Sequence, residues 1–116
     1  MALVTNFKNF FARYVGGIVQ APEDIFTCPV GQTNMILGLD ICNVLNTGIM
    51  VDVIFYDSSV AQDYYLVKNA PIPVGSSLQI ISKQKQVLEE GDKIKVQANL
   101  QNAVDVVGCT MEVYTL

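Results

Sequence analysis

The segment from Asp63 to Gln97 constrains this chain more than any other. It carries four short apolar runs, Tyr64–Val67, Leu78–Ile81, Gln86–Leu88 and Lys93–Gln97. Three turns of different chemistry separate them: Pro71-Ile72-Pro73-Val74-Gly75, Lys83-Gln84-Lys85 and Glu89-Glu90-Gly91-Asp92. Strand, turn, strand at this cadence specifies an antiparallel β-sandwich. The acidic turn is the sharpest local motif. Gly91 supplies the positive φ that reverses the chain, and Asp92 can accept hydrogen bonds from nearby backbone N–H groups. Leu88 and Ile94 anchor the flanking strands in a core. The proline segment reads as a crossover between sheets, its prolines keeping an edge from pairing with other chains.

The rest of the chain from Ile25 onward follows the same pattern. Ile25–Cys28 stops at Pro29-Val30-Gly31. Thr33–Asn43 places Met35, Leu37, Leu39 and Ile41 on one expected core face, and Ile49–Tyr56 places Ile49, Val51, Val53 and Phe55 on another. Lys93–Asn99 alternates strictly, with Ile94, Val96 and Ala98 inward and both lysines in water; a shift of one residue would bury the lysines, so the register is fixed. Asp105–Thr115 is expected to turn Val107, Cys109, Met111 and Val113 inward. The expectation is an all-β chain, a single antiparallel sandwich of eight or nine strands, jelly-roll or Ig-like, spanning residues 21–116.

Residues 1–20 allow two readings. Phe7, Phe10, Phe11, Tyr14 and Val15 recur at helical spacing, with Asn6 as a cap and Gly16-Gly17 as a stop. The same residues are aromatic and β-rich, and we favour an extended N-terminal arm or edge strand. In either form Phe7, Phe10, Phe11 and Tyr14 are the expected protein-interaction residues, because so many aromatic rings in so short a segment seek burial.

Composition narrows the function. At 116 residues the chain fits one domain. Hydrophobic residues make up 51% and charged residues 16%, below the roughly 25% charge usual for soluble domains; some apolar surface is expected to be covered by another chain. A net charge of −4 and scattered cations argue against nucleic acid, which requires a basic stripe to displace counterions. No run of residues is long and apolar enough to cross a bilayer as a helix, and residues 1–17 lack the features of a signal peptide, so no membrane partner is expected and synthesis in a cytoplasm is. Cys28, Cys42 and Cys109 have neither zinc spacing nor a histidine to join them, since the chain contains none, and read as small apolar residues. Neither metal nor other cofactor is expected.

No catalytic constellation stands out. There is no histidine base, nucleophile elbow or phosphate loop. Asp52, Asp57 and Asp63 could be imagined as a carboxylate pair and Glu89, Glu90 and Asp92 as calcium ligands; solvated strand ends and a turn are the plainer readings. Tyr56, Tyr64 and Tyr65 suggest a sugar platform only weakly, because adjacent strand residues face opposite ways and at most one of Tyr64 and Tyr65 should be outward. An enzyme is not expected.

The order of three segments, Ile25–Thr33, Asp63–Leu78 and Val87–Val96, resembles small virion structural proteins of tailed phages, especially those of cyanobacteria and other marine bacteria. The likeness covers about residues 23–115 and rests on Tyr-x-Val-Lys-Asn-Ala-Pro-Ile-Pro-Val-Gly followed by the later Gly-Asp turn. The resemblance implies a non-enzymatic sandwich repeated on a particle and made in the bacterial host cytoplasm. A capsid decoration or cement protein leads, docked on a larger virion protein such as the major capsid protein. It would form a homo-oligomer, a trimer being what threefold head sites accept. A neck, baseplate or tail-fibre attachment protein is the alternative, and a carbohydrate-binding adhesion module is a further one.

Overall fold

The computed structural model describes residues 2–17, 21–81 and 85–116. Lys83 and Gln84 of the expected lysine turn, and Ile18–Gln20 at the end of the N-terminal segment, lie outside them. Nine strands and no helix occur among the described residues: β1 (Leu3–Val15), β2 (Glu23–Thr27), β3 (Gln32–Asn43), β4 (Ile49–Asp57), β5 (Gln62–Ile72), β6 (Ser77–Ile81), β7 (Gln86–Leu88), β8 (Lys93–Ala98) and β9 (Val104–Thr115).

They form two antiparallel sheets, β1-β9-β3-β6 with β7 also on β3, and β2-β8-β4-β5. β7 pairs with Asn34–Ile36 and β6 with Leu39–Cys42, so the two short strands share one edge position. With that position counted once, the order is first-eighth-third-sixth in one sheet and second-seventh-fourth-fifth in the other. This is the jelly-roll arrangement, which resolves the choice between jelly-roll and Ig-like topologies. β1 is hydrogen-bonded to β9 along its length as an edge strand, not a helix.

Ile36, Leu39 and Ile41 of β3, Ile49, Val51 and Val53 of β4, Ile94 and Val96 of β8, and Val104 and Val106 of β9 fill the space between the sheets. The strict alternation of β8 is observed as expected, with Ile94, Val96 and Ala98 buried. The acidic turn also forms as expected. Gly91 has φ +85°, Asp92 Oδ2 accepts from the Glu89 N–H at 3.0 Å, and Asp92 Oδ1 accepts from the Ser58 N–H at 2.8 Å. The proline segment carries the chain from β5 in one sheet to β6 in the other. β5 itself extends through Pro71 to Ile72, where proline is tolerated because the strand lies at a sheet edge.

Two inward-facing sets differ from expectation. In β3 the buried residues are Asn34, Ile36, Leu39, Ile41 and Asn43. The register against β9 slips between Ile36 and Gly38, and this bulge reverses the alternation, leaving Met35 and Leu37 off the core face. In β9 the inward residues are Val104, Val106, Gly108, Thr110 and Glu112, whereas Val107 is 48% exposed and Cys109, Met111 and Val113 lie on the outer face. The polar members of the inward set are partnered. Thr110 Oγ1 lies 3.1 Å from Asn34 Oδ1, and Glu112 Oε1 accepts from Asn6 Nδ2 at 3.1 Å with Lys8 Nζ at 3.4 Å. Buried polar groups satisfied in this way are compatible with an inward position.

Candidate interaction surface

The two outer faces of the sandwich differ in chemistry. On the four-stranded sheet, Lys93 lies 2.9 Å from Asp24 and Lys95 lies 3.2 Å from Asp63. Lys95 Nζ stands 4.6 Å from the centre of the Tyr56 ring, and Lys68 Nζ 4.2 Å from that of Tyr65. The hydrogen bond and charge of Asp24 hold the Lys93 ammonium above its ordinary pKa. Ion pairs at a surface contribute little to stability, but they keep this face charged and hydrated.

The five-stranded sheet presents the opposite character. Phe7 stands opposite Met111, Met111 opposite Met35, and Met35 opposite Val87, an apolar row crossing four strands. Phe11 stands opposite Val107. Side chains opposite one another on one face of a sheet touch and act together. Leu3, Phe7 and Phe11 are each 70% exposed and Val87 is 52% exposed. Asp40, Arg13 and Asp105 gather towards one end, where Asp105 Oδ1 accepts from the Tyr14 N–H at 3.0 Å. Exposed apolar patches of this extent are uncommon on soluble monomers, which makes this face the candidate contact surface.

Of the four residues proposed from sequence, the structure turns two to this face and divides the others. Phe7 and Phe11 point outward. Phe10 points inward, its ring 4.8 Å from that of Phe26 and packed against the core. Tyr14 is half-exposed at φ +54°, with its hydroxyl accepting from Arg13 Nη2 at 2.8 Å. Met35, Val87, Val107 and Met111 complete the patch. The sequence signal for Val107 and Met111 is the second apolar alternation in β9, which by pattern alone reads as core.

The acidic residues considered for chemistry each engage partners of their own. Asp52 Oδ1 accepts from the Asn69 N–H at 2.7 Å, Asp57 Oδ1 from Ser59 Oγ at 2.6 Å, and Asp63 holds Lys95. Glu90 Oε2 accepts from the Gly31 N–H at 2.9 Å. Among the described residues no group of three or more His, Cys, Asp or Glu could hold a metal ion. Tyr64 and Tyr65 are both about half-exposed, 54% and 52%, contrary to the expectation of one. They sit on the edge strand β5, and Lys68 already stands over the Tyr65 ring.

The cysteines separate by burial. Burial pushes the Cys28 thiol up in pKa, against a hydrogen bond from Asn34 Nδ2 at 3.2 Å, while Cys42 is exposed. A thiol reagent at neutral pH should therefore modify Cys42 about 100-fold faster than Cys28. Stopped-flow labelling followed by peptide mass mapping measures the ratio, and equal rates would show that the Cys28 site opens freely.

No family model and no curated protein matches this sequence. Solved structures do match in fold. The chain superposes on a Bacillus endospore appendage protein, from a family of disulfide-linked pili, with TM-score 0.51 at 15% identity, covering 98% of this chain and 88% of that one. It is similar to a chain of the acid-stable capsid of Helicobacter pylori bacteriophage KHP30, with TM-score 0.51 at 12% identity over 98% and 92% of the two chains. It also matches a chain of the T13 particle of infectious bursal disease virus, with TM-score 0.58 at 7% identity, covering 95% of this chain but 31% of that one. At these identities the likeness is one of fold: the neighbours are β-proteins of viral capsids and of a pilus.

Proposed function

We propose that this chain is a non-enzymatic structural protein of a tailed-phage virion, a capsid decoration or cement protein that self-associates and docks on a larger virion protein such as the major capsid protein. The observation that carries the reading is the asymmetry of the sandwich, with one outer face charged and hydrated and the other apolar from Phe7 to Val87. A protein that coats a particle needs both faces, one for water and one for its neighbours. The order of the sequence motifs supports the tailed-phage assignment, and fold neighbours that build capsids and pili support assembly as the role. The capsid neighbour of comparable length favours the head over the neck or tail.

Docking would proceed by removing apolar surface from water at about 25 cal/mol per Å², with weak contacts summed by repetition over a symmetric lattice. Phe7 and Phe11 are the anchors. Removing residues 1–15 would also take Phe10 and Val15 from the core and bare β9, so outward substitutions separate docking from folding better than deletion does. The double variant Phe7→Lys/Phe11→Lys should keep its circular dichroism spectrum and melting temperature, yet its copy number on assembled particles should fall about tenfold or more. Undiminished incorporation would remove this face as the docking surface.

A further inference from the structure

A strand at the edge of a sheet presents unpaired N–H and C=O groups, and proteins blunt such edges with short length, bulges, prolines or charges. Three of the four edge positions in this sandwich are blunted. β2 has five residues, begins with Glu23 and Asp24, and slips register between Asp24 and Phe26. β5 slips register twice against β4, holds Asn69 at φ +52° and contains Pro71. The β6/β7 edge is divided into strands of five and three residues.

β1 is different. It runs in unbroken register with β9 from Leu3 to Ala12 and contains neither proline nor glycine. Its single charge in that stretch, Lys8, is matched within the chain by Glu112 at 3.4 Å. Every second residue of this run directs its backbone groups away from β9. We infer that β1 is a pairing edge whose occupant is β1 of a second copy of this chain.

The occupant follows from what a strand edge requires. Backbone groups at an edge are satisfied by another strand with free groups over a similar length, and in a second copy β1 alone offers them among the described strands. Identical edges that pair with each other do so about a two-fold axis. An axis normal to the sheet makes the pair antiparallel. It keeps both apolar outer faces on one side of the joined sheet and both four-stranded sheets on the other. A two-fold axis along the strands would instead merge an outer face with an inner one, where the second sheet already lies. Centring the pair on Asn9 sets Phe7 of each copy opposite Phe11 of the other, giving two aromatic cross-strand contacts. The outward charges, Arg13 of each copy, then fall at opposite ends of the ribbon. This contact is two-fold and distinct from any threefold association on a head lattice, and it is a property of the purified chain whatever particle the chain serves.

The test uses the full chain with Cys42→Ser and Cys109→Ser, so that Cys28, which is buried, is the remaining native thiol. Residues directly opposite in an antiparallel pair have Cα atoms about 4.5–5.5 Å apart, within the range that a disulfide spans. Asn9→Cys should therefore yield a covalent dimer under mild oxidation. Thr5→Cys and Arg13→Cys should not, since each would lie eight residues, roughly 26 Å, from its own mate. Sedimentation of the unmodified chain should show a reversible dimer, weakened about tenfold or more by Phe7→Lys/Phe11→Lys. A chain that stays monomeric to millimolar concentration overturns the pairing. So does a dimer that cross-links through Val87→Cys and not through Asn9→Cys, because that would be stacking of apolar faces. Particle incorporation plays no part in either result, so loss of the docking role and loss of this contact are read separately.

Discussion

Replacing Asp92 by alanine is expected to lower the stability of this domain by about 3 kcal/mol, a large share of the ~5–15 kcal/mol a domain has. Asp92 is 6% exposed. Its Oδ1 accepts from the Ser58 N–H at 2.8 Å and from Ser58 Oγ at 2.9 Å, and its Oδ2 accepts from the Glu89 N–H at 3.0 Å. The backbone around it is equally engaged: the Cys28 N–H donates to Asp92 O at 2.9 Å, and the Gly91 N–H donates to Cys28 O at 3.0 Å. One carboxylate thus ties the β4–β5 turn to the β7–β8 turn, beside the point where the chain leaves β2. Alanine would strand two backbone donors in a site with little water, and a stranded donor costs more than the bond itself contributed. An asparagine side chain could still accept on one side but would present an N–H₂ group on the other, so Asp92→Asn should lose roughly half as much. Urea titration of the three proteins should give that order. Losses under about 0.5 kcal/mol for Asp92→Ala would mean that the turn holds without its carboxylate.

The turn was legible in the sequence because its chemistry is local: a glycine that must reverse the chain, followed by an acid that can cap what the reversal exposes. β8 was legible for a related reason. Its lysines can be solvated in one register and would be buried in the other, so only one register survives. β3 and β9 were not legible, and each for its own physical reason. In β3 a bulge inserts one residue between Ile36 and Gly38, and nothing in Met35-Ile36-Leu37 marks which apolar side chain is to be set aside. In β9 both alternations carry apolar residues, and the core takes the one that contains Thr110 and Glu112 because Asn34, Asn6 and Lys8 lie across from them to satisfy their polar atoms. Asn34 and Asn6 come from 76 and 106 positions away in the chain, beyond the reach of a local pattern. The surface followed suit. Phe7 and Phe11 are conspicuous in the sequence and the strand exposes both, while Met35, Val107 and Met111 are hidden among residues whose pattern points to the core.

The spacing of the aromatic residues in β1 also explains the helical alternative. Phe7 and Phe11, four apart, share a face in a strand as they would in a helix, and Phe10 is the residue whose position separates the two. In the strand it crosses to the inner face, and there Gly108 receives it. A methyl group added at Gly108 would overlap Phe10 Cζ, so the ring covers the glycine directly while packing 4.8 Å from Phe26 on the other sheet. Gly108→Val should therefore displace the ring and cost about 3 kcal/mol, the upper range for overpacking a core. Phe10→Ala should cost about 2 kcal/mol, less than a fully buried phenylalanine because the ring is partly exposed. The two changes touch the same space, so their effects should not add: with the ring gone, the valine side chain occupies part of the gap it left. The double variant is expected to be more stable than the sum of the singles predicts by about 1–2 kcal/mol, a coupling of the size that residues in contact show. Strict additivity in a denaturant cycle would mean that Phe10 leaves Gly108 in solution, and that β1 is held to the sheet by its backbone hydrogen bonds with β9 alone.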